Sequence, residues 1–324
     1  MQVSDNLKAV AIGSVAGVFF CSTYVVNSFL SVNGGHWAWT VGLRSFFLAL
    51  LLMLLLQVQG QLKQLLQVLK QQPLPWMAWG STAFGIVYVL LTYAASLGPG
   101  WLIAGVFQFT IVAGILISPL IYKDHRAKIP VRALLLSILI LAGIALMQWS
   151  QKNGVYTSQQ LWICVVLTLA AAFLWPLANR KLMLHQEAKG IKLNSFQRVA
   201  GIAIGSFPAQ LILFFFGYNE AGWPGQQQLL AVLVIALSSG VIGCILFFKA
   251  MHIARNDGAA LAAVEATQSV EIVTTVIGEV LLLGIAWPNW MGYSGIAIIM
   301  SGLILYGMPS QNKQFSTNKI KHKA

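Results

Sequence analysis

Charge is scarce in this chain. Of 324 residues only 9% are Asp, Glu, Lys or Arg, and only eight are acidic. A soluble domain of this length needs about a quarter or more of its surface charged, so a water-facing globule is excluded. Cysteine is scarce too. Cys21, Cys164 and Cys244 stand far apart in apolar stretches, which excludes a disulfide framework and leaves them as small buried hydrophobes. No Walker loop, H-E-x-x-H, G-x-S-x-G or paired intramembrane aspartate occurs. His36, His125, His185, His252 and His322 all fall in or near connections, a poor arrangement for haem or quinone chemistry. These absences point away from an enzyme: catalytic residues, cofactor and metal are none. A membrane-embedded enzyme is the weaker alternative, and no pore-loop segment supports a channel. Without an ATP site, the energy for any transport comes from a gradient or from the substrate itself. The N-terminal apolar run has full span length and no small-residue cleavage site, unlike a signal peptide.

Apolar residues fill the space that charge leaves. They make up 58% of the chain and fall in blocks of roughly 20, enough to cross a hydrocarbon core of about 30 Å. The blocks lie near 8–30, 37–58, 75–97, 101–122, 131–149, 160–179, 195–218, 229–251, 258–284 and 290–308, hereafter segments 1 to 10. The formal charge of +12 does not mark a nucleic-acid partner, because Lys and Arg alternate between connections. "SVNGGH", "GPG", "NEAGWPGQQQ" and "GIAWPN" carry none and "QKNGVYTSQQ" only Lys152, whereas Lys63, Lys70, Lys123, Arg126, Arg180, Lys189, Lys192, Arg255 and the tail lysines fall on the other side. The positive-inside rule then places both termini in the cytoplasm, with ten crossings of the cell (cytoplasmic/plasma) membrane. "QLKQLLQVLKQQ" spaces Leu62, Leu65, Leu66 and Leu69 on one helical face, which predicts an amphipathic interfacial helix over 61–72.

Five segments repeated twice give two halves of opposite orientation. "FFCSTYVVNSFL" in segment 1 lies over "AAFLWPLANRKL" in segment 6, with Asn27 on Asn179. Arg44 and Arg198 follow at similar offsets, and segments 5 and 10 are plain apolar helices. The expected fold class is therefore all-α, a polytopic protein with a 5+5 inverted-topology repeat. The first half covers 1–150, the second 151–310, and 311–324 is a basic tail. Asn27 with Arg44, and Asn179 with Arg198, are expected as structural or gating polar pairs, because an Asn carbonyl can partner a guanidinium in low dielectric.

Three glutamates stand in segment 9, in "AAVEATQSVEIVTTVIGEVLLL". A carboxylate facing lipid at mid-bilayer costs about 2.5–3.5 kcal/mol, so Glu265, Glu271 and Glu279 should face a cavity or a polar neighbour. Glu265, Gln268, Thr275 and Glu279 share an arc of about 80°, with Glu271 beside it. By depth, Glu265 and Glu271 bracket the midplane and Glu279 approaches the outer surface. A buried carboxyl holds a proton in one environment and releases it in another, so Glu265 and Glu271 are proton or cation sites; the alternative is a buried ion pair with Arg44 or Lys249. Segment 4 offers Gln108 at the matching depth. Trp175 and Tyr24 overlap in the repeat and would present ring faces to a substrate. Pro176 is expected to kink segment 6, and Pro99 and Pro119 to bound or bend segment 4.

The motifs "FFCSTYVVNSFL", "GGHWAWTVGLRSFFLALLL" and "GEVLLLGIAWPNWMGYSGIAIIMSGLILYG" make the chain similar to ten-helix members of the drug/metabolite transporter superfamily, in the branch of multidrug resistance efflux transporters. Many relatives carry a tryptophan in segment 1 where this chain has Phe20-Cys21-Ser22, and here the tryptophan is Trp175 in segment 6. The resemblance implies a central cavity lined by the first four helices of each half. It also implies membrane transport, and with the midplane glutamates of segment 9 the reading is proton-coupled efflux of small organic compounds, lipophilic cations or drugs, by alternating access. Export of amino acids or other metabolites without coupling is the other reading. The partners are a small-molecule substrate, a proton gradient and the bilayer. Two fused halves make a monomer sufficient, with a dimer as the other option.

Overall fold

The computed structural model describes residues 2–123, 127, 129, 131–150, 156–254, 264 and 267–307; Glu265 and the basic tail 311–324 lie outside the described residues. Every regular element among the described residues is helical. Within a bilayer the backbone must satisfy its own hydrogen bonds, and a helix does so inside one segment. Five helices are long and apolar enough to cross: Asp5–Val32, Trp37–Val58, Pro73–Ala94, Ser158–Ala188 and Gln226–Ala254. Ser195–Gly205 and Phe207–Ala221, bent by 45°, make a sixth as one span. Shorter apolar helices are Gly100–Leu116, Ile138–Ser150 and Trp290–Leu305. The chain is a polytopic membrane protein.

Several segments expected as single helices are interrupted, each for a local reason. Segment 4 divides into Gly100–Phe107, Thr110–Leu116 and Ser118–Ile121, with Pro99 as the N-cap of the first piece and Pro119 opening the last. In segment 9, a 3-10 turn at Thr267–Ser269 precedes the helix Val270–Leu283. The bend in segment 7 follows from Pro208 at the start of Phe207–Ala221. Gln210 Nε2 and Ser206 Oγ donate to the buried Ala203 carbonyl at 3.0 and 2.7 Å. Segment 6, by contrast, runs on as one helix through Pro176. Proline deprives the carbonyl four residues back of its N–H, and Thr110 Oγ1 donates to that carbonyl, Ala172 O, at 3.0 Å.

Packing repeats between the halves. Segment 1 packs on segment 8 and segment 6 on segment 3; segment 9 meets segment 1 and segment 4 meets segment 6. Segments 4 and 9 face each other, and segment 5 lies along segment 10. The last pair crosses at Gly143 and Gly295, where a Cβ on either would stand 2.6–2.9 Å from the other's carbonyl oxygen; small residues allow this approach. Segments 3 and 8 each contain a π-helical stretch, Ser81–Ile86 and Ala236–Gly243.

Segments 2 and 7 run antiparallel. Near the start of segment 2, His36 Nε2 lies 2.9 Å from Glu220 Oε2 at the end of segment 7. Beyond the other end of segment 2, Gln61 Oε1 accepts from Asn194 Nδ2 at 2.6 Å, just before segment 7 begins. The amphipathic helix Leu62–Gln71 does more than rest on an interface. Leu65 is fully buried in a cluster with Leu52, Leu56, Trp76 and Ala200, and Gln64 Nε2 donates to Lys192 O at 3.0 Å.

Candidate functional site

Eight segments line a cavity of about 600 Å³; among the described residues, segments 5 and 10 contribute nothing to its wall. The interruptions of segments 4 and 9 meet there. Gln108 Nε2, at the break in segment 4, donates to the Gln268 carbonyl at 3.5 Å and to Glu271 Oε2 at 3.3 Å. Glu271 opens the helix Val270–Leu283 and is 9% exposed. The Tyr24 hydroxyl faces the same carboxylate. Glu271 is the acidic residue on the cavity wall among the described residues.

Arg44 approaches from segment 2. Its guanidinium lies 3.6 Å from the centre of the Tyr88 ring, and Nη2 reaches Thr23 Oγ1 at 3.5 Å. Thr23 Oγ1 in turn donates to Ser239 Oγ at 2.9 Å, linking segments 1 and 8. Arg44 Nε has no partner, and no carboxylate of the described residues lies within ion-pair distance of it. A desolvated cation–π contact contributes about 2 kcal/mol, against an effective burial penalty of several kcal/mol per ion. The ring alone therefore leaves this charge undercompensated.

Rings form the apolar wall. Trp175 stacks on Phe84, with centroids 5.9 Å apart and planes at 11°, and meets Tyr88 edge-on at 6.3 Å. Towards one end the wall reaches Asn179, Met183, Ser195 and Arg198. Met183 and Arg198 also line a second cavity of about 420 Å³, which extends to Gly190 and Lys192. That end is the mouth. At the far end, Gln228 Nε2 donates to His36 O at 2.7 Å and Thr40 Oγ1 at 2.9 Å, while Trp39 Nε1 donates to Gly222 O at 2.9 Å. Together with the His36–Glu220 contact, these bonds tie segments 2, 7 and 8 together.

Glu279 has a different place. It is 0% exposed, and its two oxygens accept from the Gly100 and Trp101 amides at 2.7 and 2.9 Å. A carboxylate on the first amides of a helix satisfies unpaired donors and meets the positive end of the helix dipole. It fastens segment 9 to segment 4 away from the cavity.

Of the residues singled out in the sequence, Tyr24, Arg44, Gln108, Trp175, Asn179, Arg198, Gln268 and Glu271 all border the cavity. Glu265 lies outside the described residues. The two expected Asn–Arg pairs are not formed in this structure. Asn27 Nδ2 donates to Thr92 Oγ1 at 3.5 Å, and Asn179 Nδ2 turns back to Trp175 O at 2.9 Å. The amide of Asn179 is turned to its own helix, while Asn27 reaches across to another helix and its Oδ1 is left buried without a partner among the described residues. Sequence reasoning missed Tyr88, Phe84, Thr23 and Ser239. Tyr88 carried the one available signal, a polar ring inside an apolar run.

Residues 7–312 match the EmrE family, described as "Putative multidrug resistance efflux transporter". The chain belongs to this family. It is 37% identical over 317 residues to "Uncharacterized protein YjlA" of Bacillus subtilis (strain 168), covering 95% of this chain and 97% of the relative. It is 34% identical over 286 residues to "Uncharacterized 42.1 kDa protein in intracellular alkaline protease 3'region" of Shouchella clausii, covering 86% and 74%. A solved structure described as "Crystal structure of protein" has the same fold, with a TM-score of 0.60 at 15% identity, covering 92% of this chain and 96% of the other. The family is one of membrane transporters, which agrees with the multi-pass architecture and implies a small-molecule substrate.

Proposed function

We propose that this chain is a secondary active transporter of the cell membrane that exports small organic compounds by alternating access, driven by inward proton flow through Glu271. The carrying observation is the position of that carboxylate, on the cavity wall where segments 4 and 9 are interrupted. A proton and the positive group of a substrate exclude each other at one carboxylate, so exchange between them couples the two fluxes. Glu265, adjoining the same wall in sequence, is the second candidate. The ring faces of Trp175, Phe84 and Tyr88 suit the apolar body of lipophilic cations and drugs. Arg44 favours the other reading, amino acids or related metabolites, because it brings a cation to the same wall.

The antiparallel course of segments 2 and 7, the matched packing and the matched π-helical stretches support ten crossings arranged as two inverted halves, 1–150 and 151–310. Lys189, Lys192 and Arg198 gather at the mouth end, which favours a cytoplasmic mouth and cytoplasmic termini. In that orientation the structure is open inward and bolted outward. A monomer contains the whole cavity.

The test is flux in proteoliposomes with a panel of organic cations and amino acids, with and without a pH gradient. Glu271→Gln should remove the gradient-driven part of transport, at least tenfold, while the protein still folds. Gradient stimulation equal to the parent's would take Glu271 out of the mechanism.

A further inference from the structure

Coupling through Glu271 leaves the most strongly polar group of the cavity, the Arg44 guanidinium, without a task. It is 5% exposed, and among the described residues its Nε is unpartnered and its one hydrogen bond, to Thr23, is 3.5 Å long. A structural arginine at such depth is normally gripped by a carboxylate or by several carbonyls. Here the guanidinium carbon lies 3.6 Å from the centre of the Tyr88 ring, and the unpartnered Nε with the long Nη2 bond to Thr23 leaves the fork able to receive a carboxylate. Glu271 stands nearby, beyond ion-pair contact with Arg44, and both border Tyr24. The two groups line the same cavity of about 600 Å³ without touching.

We propose that Arg44 binds the carboxylate of the substrate, and that the substrate is an amphipathic zwitterion. Its carboxylate sits on Arg44, its ammonium on Glu271, and its apolar body lies against Trp175 and Phe84. The ammonium half rests on the coupling role given to Glu271 above; the carboxylate half does not. A plain lipophilic cation would add a second positive charge beside an uncompensated guanidinium, and a plain organic acid would add a second negative charge beside Glu271. Arg198, shared by the two cavities with its Nε also unpartnered, offers the same carboxylate a first station at the mouth.

Three probes sharing a phenyl ring separate these terms: phenylalanine, phenethylamine, which lacks the carboxylate, and 3-phenylpropionate, which lacks the amine. Binding is measured by titration calorimetry on the full chain in lipid nanodiscs. Phenylalanine should bind at least tenfold more tightly than either analogue. Arg44→Gln and Arg44→Lys should each weaken phenylalanine at least tenfold without weakening phenethylamine, and Arg44→Gln, which removes the positive charge, should bind phenethylamine more tightly than the parent. The comparison of probes on the unaltered protein stands even if both variants fail to fold. Phenethylamine binding as tightly as phenylalanine would overturn the assignment of Arg44 while leaving Glu271 its role. If 3-phenylpropionate matches phenylalanine and both depend on Arg44, the carboxylate site holds and the ammonium site on Glu271 falls. Binding of none of the three overturns the proposal outright.

Discussion

Three glutamates in one apolar segment look alike on paper, and their surroundings give them different work. Glu279 is held by two backbone amides and Glu271 by a side-chain amide at the edge of a cavity. The first environment is a fixed structural bond, whereas the second can change with occupancy. Gly100 makes the structural bond available, because a Cβ there would stand 2.8 Å from both Glu279 Oε1 and Ser28 Oγ. Gly100→Ala should push the carboxylate off the helix start and lower stability by about 1–3 kcal/mol, read as a fall in thermal midpoint in detergent. An unchanged midpoint would mean that the cap contributes little. The sequence marked all three acids as facing something polar, and it separated Glu279 by depth. It did not reveal what Asn27 and Asn179 bind, because offset along the chain reports depth and helix face but not the side-chain rotamer that selects among neighbours.

At the scale of elements, the existence of the apolar segments was legible, since blocks of roughly 20 apolar residues have few alternatives. Their interruptions were less so. Those in segments 4 and 9 come with a partner, Gln108 to the Gln268 carbonyl, that is about 160 residues away in the chain. Segment 6 shows the opposite case, where an expected kink does not end the helix because a neighbouring side chain repairs it. Thr110→Val should leave the Ala172 carbonyl dry and unpaired beside Pro176 and lower stability by about 1–3 kcal/mol. Thr110→Ser keeps the hydroxyl and should restore most of it. Equal melting of the valine and serine variants would show that the bond from Thr110 does not support the proline-bearing helix.

At the scale of the molecule, the main packing contacts recur in pairs, segment 1 on segment 8 with segment 6 on segment 3, and segment 9 on segment 1 with segment 4 on segment 6, as the proposed 5+5 pattern requires. The two ends are nevertheless unlike. One is bolted by His36 with Glu220 and by Gln228 with Thr40, and the other opens past Met183 and Arg198. Alternating access requires these two conditions to trade places. Electron–electron double resonance in nanodiscs reads this directly, with one spin-label pair at Asn33 and Trp223 across the bolted end. A second pair at Lys189 and Lys249 spans the mouth. On adding phenylalanine or changing pH, the first distance should lengthen while the second shortens. Distributions that stay fixed in both pairs under every condition would contradict an exporter built on two rocking halves.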